Sequence, residues 1–218
     1  AEYLTELTQS PVAEYMRPNF FPTTPDILPE FLQNGGRRAF ETRFVLAATL
    51  SSVYGIYNGF ELCENAAVPG KEEYLHSEKY DYKVWDWNRP GNIKELIATV
   101  NRIRRENPAL QELTNLRFYR CNDDNILFYG KMTADRSNMI LIAVNLDPYD
   151  AHETELEVPL WDMGLSENDN YIVEDLLTGA RHLWSGVWHH WRLGGDTNQV
   201  MILRVLPWHH VDFESPSF

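Results

Sequence analysis

The chain has 218 residues, 44% of them apolar and 23% charged, with a formal net charge of −13. That length holds one large or two small domains, and the balance is that of an ordinary globular protein. The negative field repels nucleic acid, and no apolar run approaches the roughly 18–20 residues of a membrane span, so the partners left compatible are neutral molecules such as polysaccharides.

Residues 1–112 alternate helix and strand signals. Glu2 to Thr8 reads as a helix end, without the basic and apolar stretches of a signal peptide. Tyr15 to Phe21 is an aromatic, strand-like run closed by Pro22, and Pro25 sits where a first helical turn tolerates it, with Thr23 or Thr24 as cap. The short helix expected after Asp26 stops at Gly35-Gly36. Arg37 to Leu50 carries Phe40, Phe44, Ala47 and Ala48 on one helical stripe, and Ser51-Ser52 breaks it. Val53 to Tyr57 reads as a buried strand and Asn58-Gly59 as its turn. A long structureless stretch follows, from Glu64 to Gly91, and loops of that length usually carry function. Asn92 then caps an amphipathic helix with Ile93, Leu96, Ile97, Val100 and Ile103 in phase, ended by Pro108.

After Leu113 the period becomes two. Leu116–Arg120, Ile126–Gly130, Met139–Leu146, Glu153–Val158, Tyr171–Leu177 and Val200–Leu206 read as six strands separated by turn signals, the pattern of an antiparallel β-sandwich. The predicted organisation is therefore two units, residues 1–112 and 113–218. The first holds two strand-plus-helix units, where a closed (β/α)8 barrel needs eight over about 250 residues, so as barrel sequence it amounts to a quarter.

Few side chains suggest chemistry by themselves. Asp26, after a buried-looking strand, is either a carboxylate on a barrel's active face or a first-turn Asp favoured by the helix dipole. Lys79-Tyr80 pairs a point charge with a hydroxyl donor, suited to a phosphate dianion, or is a solvated Lys beside a packed Tyr. Glu61 and Glu64 either face a ligand channel or cap their loop. His189-His190 and His209-His210 are adjacent pairs whose rings point to opposite faces of a strand, so no metal is expected. Trp184, Trp188 and Trp191 form a sugar-stacking strip or belong to the sandwich core. Cys63 and Cys121, far apart and without a CxxC, read as free thiols in a reducing, cytoplasmic compartment. With no Gly-rich phosphate loop, no cofactor is expected.

The order of these pieces resembles the last quarter of the α-amylase family, glycoside hydrolase family 13. The carriers are a strand followed by Asp26, the Tyr57-x-Gly59-x-Glu61 strand end, the helix tail Arg104-Arg105-Glu106-Asn107-Pro108-Ala109-Leu110 and the turn Asp175-Leu176-Leu177-Thr178-Gly179. Longer runs resemble one subgroup, the maltosyltransferases that use maltose 1-phosphate to extend α-1,4-glucans. They are Glu2 to Thr8, Glu14 to Phe21, Thr24 to Leu28, Tyr54 to Glu64 and Glu72 to Tyr80, with Thr23 standing where that subgroup usually has Asn.

The resemblance implies a C-terminal barrel quarter followed by an amylase-type β-sandwich. It implies that Asp26 is the transition-state-stabilising carboxylate, that Lys79 and Tyr80 belong to a phosphate pocket, and that Glu61 and Glu64 lie by the sugar channel. Retaining transfer also needs a nucleophilic carboxylate and a general acid roughly 5 Å apart. The resemblance places both on barrel strands four and five, which this sequence does not contain, so the chain alone is expected to be inactive. Another amylase-type hydrolase, a trehalose synthase or a non-catalytic carbohydrate-binding sandwich are the alternatives. Strands cut from barrel neighbours leave open edges, which favours a homo-oligomer formed through residues 1–60.

Overall fold

A computed structural model describes residues 1–78 and 80–207. Two short helices, α1 (Glu2–Gln9) and α2 (Val12–Tyr15), lead into strand β1 (Asn19–Phe20). Helix α3 (Glu30–Asn34) is followed at once by α4 (Gly36–Leu50), then by strand β2 (Val53–Tyr54). The two strands pair in parallel, Asn19 with Val53 and Phe20 with Tyr54. Both are shorter than the sequence runs suggest, because Val12–Tyr15 is helical and only one neighbouring strand is present to pair with. Asp26 also stands elsewhere than expected. Thr24 and Ile27 exchange both backbone hydrogen bonds at 3.2 Å, so Pro25-Asp26 forms the corner of a tight turn and the helix begins only at Glu30. A proline pre-sets the φ of the second position of such a turn, and this local preference outweighs helix initiation.

From Cys63 to Ile93 the described residues include neither helix nor strand, only a bridge between Ala67 and Tyr74. Helix α5 (Lys94–Glu106) follows, with Asn92 Oδ1 accepting the Lys94 N–H at 3.2 Å and a 3₁₀ turn at Pro108–Gln111 after it. Arg104, from the helix tail singled out above, reaches across to the open end of α4. Its guanidinium donates to the carbonyls of Ala48, Ser51 (3.2 Å) and Ser52 (2.8 Å) and lies 4.9 Å from the Tyr54 ring. The last carbonyls of a helix have no intrahelical partner, so this one side chain completes α4 and braces β2.

The remainder is antiparallel. Strands β3 (Leu116–Phe118), β4 (Ile126–Met132), β5 (Met139–Asn145) and β6 (His152–Glu157) precede a short helix α6 (Leu160–Met163). Strands β7 (Asn170–Asp175), β8 (Arg181–Ser185), β9 (Trp188–Leu193) and β10 (Val200–Pro207) complete it. One sheet runs β3-β4-β5-β10-β7-β8 and the other pairs β6 with β9. All six expected strands are present, and β8 and β9 are additional. The Asp175-Leu176-Leu177-Thr178-Gly179 motif is a side-chain-closed turn. Asp175 accepts from the Leu177 N–H (3.0 Å), the Thr178 hydroxyl (2.7 Å) and the Gly179 N–H (2.7 Å), and Gly179 sits at φ 78°.

The large sheet is buried on both faces. Met139, Leu141 and Ala143 of β5 join Met201, Leu203 and Val205 of β10 in a core closed by Leu156 and Leu193 of the small sheet. The alternate residues Ile140, Ile142, Val144 and Ile202 join a second core with Phe40, Phe44 and Ala48 of α4 and Val100 and Ile103 of α5. Two buried hydrogen bonds cross this second layer, Thr49 Oγ1 to the Tyr129 hydroxyl at 2.6 Å and Thr42 Oγ1 to the Asn145 carbonyl at 2.9 Å. Lys131 of β4 is fully buried, donating to the Glu112 carbonyl at 2.5 Å. Burial, with the Arg104 charge nearby, lowers its pKa to about 7.

Candidate functional site

The C-terminal ends of β1 and β2 set two segments side by side, Phe21–Asp26 and Ile56–Glu64. The long loop folds over both. Its Glu72 accepts the N–H of Leu28 through the carbonyl and that of Glu30 through Oε1, each at 2.8 Å, fastening the loop to the start of α3. A cavity of about 350 Å³ results, lined by Pro25, Asp26, Tyr74, His76, Ser77 and Tyr80, with Val68, Glu73 and Asp81. Two of the sequence-predicted residues, Asp26 and Tyr80, therefore meet at one opening. Lys79 lies outside the described residues, as do His209 and His210.

Ser77 connects the two. Its hydroxyl donates to the Pro25 carbonyl at 3.2 Å, and its own carbonyl accepts the N–H groups of Tyr80 and Asp81, both at 2.9 Å. Tyr80 is 79% exposed at the cavity mouth. Behind the opening the hydroxyls of Thr23, Tyr57 and Tyr74 are buried without a hydrogen-bond partner, and the two Tyr rings lie 5.4 Å apart. Burial raises the Tyr74 pKa to about 12, partly offset by the Thr23 hydroxyl near it. Unpaired buried hydroxyls are costly and concentrate where water or a ligand group completes them.

Glu61 and Glu64 are engaged within the loop. Glu61 Oε2 accepts the Gly59 N–H at 3.1 Å. Glu64 accepts the Ala66 N–H at 2.9 Å and pairs with Arg89 at 3.4 Å. The cavity wall thus includes the Asp26 carboxylate, the Tyr80 and Ser77 hydroxyls and the His76 imidazole, whose Nδ1 meets Asp81 Oδ2 at 3.2 Å. Sequence reasoning missed Tyr57 and Tyr74; their signal was one tyrosine before the long loop and one within it, which alone does not separate a buried hydroxyl from a packed ring.

The tryptophans do not form one strip. Trp184 and Trp191 are half-buried over the inner core, Trp184 stacking on His189 with centroids 4.0 Å apart, while Trp188, one position out of phase with Trp191, is 50% exposed. The Tyr171 hydroxyl donates to the Gly186 carbonyl at 2.8 Å and accepts from His189 Nε2 at 2.7 Å, and burial lowers the His189 pKa. His190, on the opposite face, meets Glu155 at 3.2 Å. Among the described residues no group of three or more His, Cys, Asp and Glu is arranged to hold a metal, and no helix is long and apolar enough to cross a membrane. Cys63 and Cys121 are both free.

A family model described as "GLGE, C-terminal" matches residues 118–205. The α-1,4-glucan:maltose-1-phosphate maltosyltransferase of Rhodospirillum rubrum is 61% identical over 94% of this chain and 30% of its own length. The protein of the same name from Cereibacter sphaeroides is 49% identical over 94% of this chain and 30% of its own. Among solved structures, an α-amylase from Geobacillus thermoleovorans complexed with acarbose superposes with a TM-score of 0.59 at 13% identity, covering 85% of this chain and 38% of that one. The chain spans under a third of the length of these two maltosyltransferases. The shared fold is that of the C-terminal region of the α-amylases, an antiparallel sandwich with preceding helices.

Proposed function

The chain belongs to the α-1,4-glucan:maltose-1-phosphate maltosyltransferase family, and from that premise we propose that it supplies the C-terminal part of an enzyme transferring maltosyl units from maltose 1-phosphate to α-1,4-glucans with retention. Residues 1–112 are then the last two βα units of a (β/α)8 barrel and residues 113–218 its sandwich domain, in a cytoplasmic protein. The observation that carries this reading is the meeting of Asp26 and Tyr80 at one cavity beyond the C-terminal ends of a parallel strand pair, where barrel active sites are built.

In this reading Asp26 accepts hydrogen bonds from sugar hydroxyls and supports the positive charge that develops at the anomeric carbon. Lys79 and Tyr80 bind the phosphate that leaves, one by charge and one by a hydroxyl donor. Glu61 and Glu64 shape the channel wall by fixing the loop behind it. The nucleophile and general acid come from barrel strands outside these residues, so the 218-residue chain transfers nothing by itself.

Incubation with maltose 1-phosphate and an α-1,4-glucan, following phosphate release, separates the readings. A protein carrying the whole barrel releases phosphate in proportion to glucan extension, and this chain releases none. Hydrolysis of glucan without need of the phosphate donor points instead to an amylase-type hydrolase. Glucan binding by the chain, lost on changing Trp188, favours the carbohydrate-binding module. The open edges of β1 and β2 beside exposed Tyr15, Phe21 and Val53 also lead to association of the isolated chain. Light scattering that gives a monomer mass at every concentration rules that out.

A further inference from the structure

Besides Glu72, a second carboxylate that the proposed chemistry does not use ties down the long loop. Glu78 lies in the turn that carries Tyr80, immediately before Lys79 in sequence. Its Oε2 accepts from Asn58 Nδ2 at 2.7 Å and its Oε1 from the Trp85 indole N–H at 2.8 Å. Asn58 belongs to the turn that leaves β2, and Trp85 comes from further along the loop. The Trp85 ring in turn lies flat against Gly59, where a Cβ would stand 2.4 Å from Cη2 and where φ is 90°. Only glycine accepts both that conformation and that approach. Lys83 Nζ covers the ring at 4.8 Å from its centroid. One carboxylate thus joins three segments of the chain.

We propose that Glu78 is a positioning residue that holds the Ser77–Asp81 turn, and with it the hydroxyl of Tyr80, over the C-terminal end of β2. The geometry divides the task between neighbours. Ser77 ties the turn to the Asp26 corner through Pro25, and Glu78 ties it to the Asn58-Gly59 corner. The two bonds fix the spacing between the carboxylate that faces the sugar and the turn that faces the phosphate. A charge-assisted bond to a carboxylate is about twice as strong as a neutral one, and two such bonds from different segments immobilise the turn before any ligand arrives. The functional weight of this positioning rests on the phosphate-binding reading of Lys79 and Tyr80.

The test uses this 218-residue chain, with inorganic phosphate as the probe. In Glu78→Ala the amides of Tyr80 and Asp81, both bonded to the Ser77 carbonyl, exchange at least about tenfold faster, while the amides of β10 keep their protection and show that the fold survives. Glu78→Gln retains an acceptor for the Trp85 indole and recovers most of the protection. Trp85→Phe loses the indole donor but keeps the Asn58 bond to Glu78, and falls between the two. Phosphate titration followed at the Tyr80 and Asp81 amides weakens at least about tenfold in Glu78→Ala and much less in Glu78→Gln. Unchanged exchange at those amides in Glu78→Ala, or unchanged phosphate affinity, overturns the proposal. A wild-type chain that does not respond to phosphate overturns the phosphate reading instead, and the exchange measurement still decides the role of Glu78.

Discussion

The sandwich and the loop-rich region at the ends of β1 and β2 are built on opposite terms. In the sandwich, β5 is fully apolar up to Asn145 and every residue of it is buried, with alternate side chains serving two cores. Even its polar end is satisfied: Asn145 Nδ2 donates to the carbonyls of Asp150 (2.9 Å) and Leu193 (3.1 Å). At the ends of β1 and β2, three hydroxyls are buried without partners, while Phe21, Ile27, Tyr80, Tyr82 and Val84 are exposed. The sandwich also leaves two buried polar atoms unpaired, Asn115 Oδ1 and Gln199 Oε1, so what sets the loop-rich region apart is that its three orphans stand beside uncovered apolar side chains. The contrast separates sequence that serves folding from sequence that serves recognition.

The largest effect that sharpens this contrast is in the core. Ile142→Ala removes a fully buried side chain from the layer shared with α4 and costs about 3–4 kcal/mol in urea unfolding. Val53→Ala, at 49% exposure on β2, stays within about 0.5 kcal/mol. Comparable losses at the two sites would break the comparison, since the first region would then carry as much of the stability as the second. A smaller effect comes from Lys131, a fully buried lysine of the large sheet. Lys131 has its pKa lowered from 10.5 to about 7, so between those values the unfolded chain holds a proton that the folded chain releases. Stability therefore rises with pH across that window and is flat below it, where both states are protonated and the full cost of burying the charge is felt. Lys131→Met is expected to gain about 1–2 kcal/mol near pH 7, with the gain shrinking towards pH 10 in a denaturation series. A gain independent of pH would show that Lys131 is not a buried charge in solution.

Legibility in the sequence follows the same division. The six expected strands were readable because their apolar residues recur at period two or in continuous runs between turn signals, and α5 because its stripe is clean. Strands β8 and β9 were not. Arg181-His182-Leu183-Trp184 and Trp188-His189-His190-Trp191 mix aromatic and polar residues with little contrast between faces, and their strand state depends on pairing with β7 and β6. The first-region strands were over-read for the converse reason: Tyr15 and Val53–Tyr57 have strand propensity but few partners here. Asp26 was legible as a candidate and its setting was not, because Thr24-Pro25-Asp26-Ile27 suits a turn and a helix start equally well. Glu78 lay in a run that resembles the maltosyltransferases, but nothing in the sequence gave it a role of its own. A glutamate in a loop is ordinary until Asn58 and Trp85, 20 positions before it and 7 after, are seen to converge on it.

The placement of β10 has a consequence for how the molecule is made. Residues 200–207 occupy the middle of the large sheet, between β5 and β7, and contribute to both cores. During synthesis, helices α4 and α5 and the β3-β4-β5 meander leave the ribosome well before that strand exists. Until it arrives, β5 and β7 each present an open edge and an apolar face to the cell, the condition under which nascent chains depend on chaperones. The slowest event in maturation should then be the insertion of this late strand between two waiting ones, a non-local step whose loops must close before any of its contacts are gained.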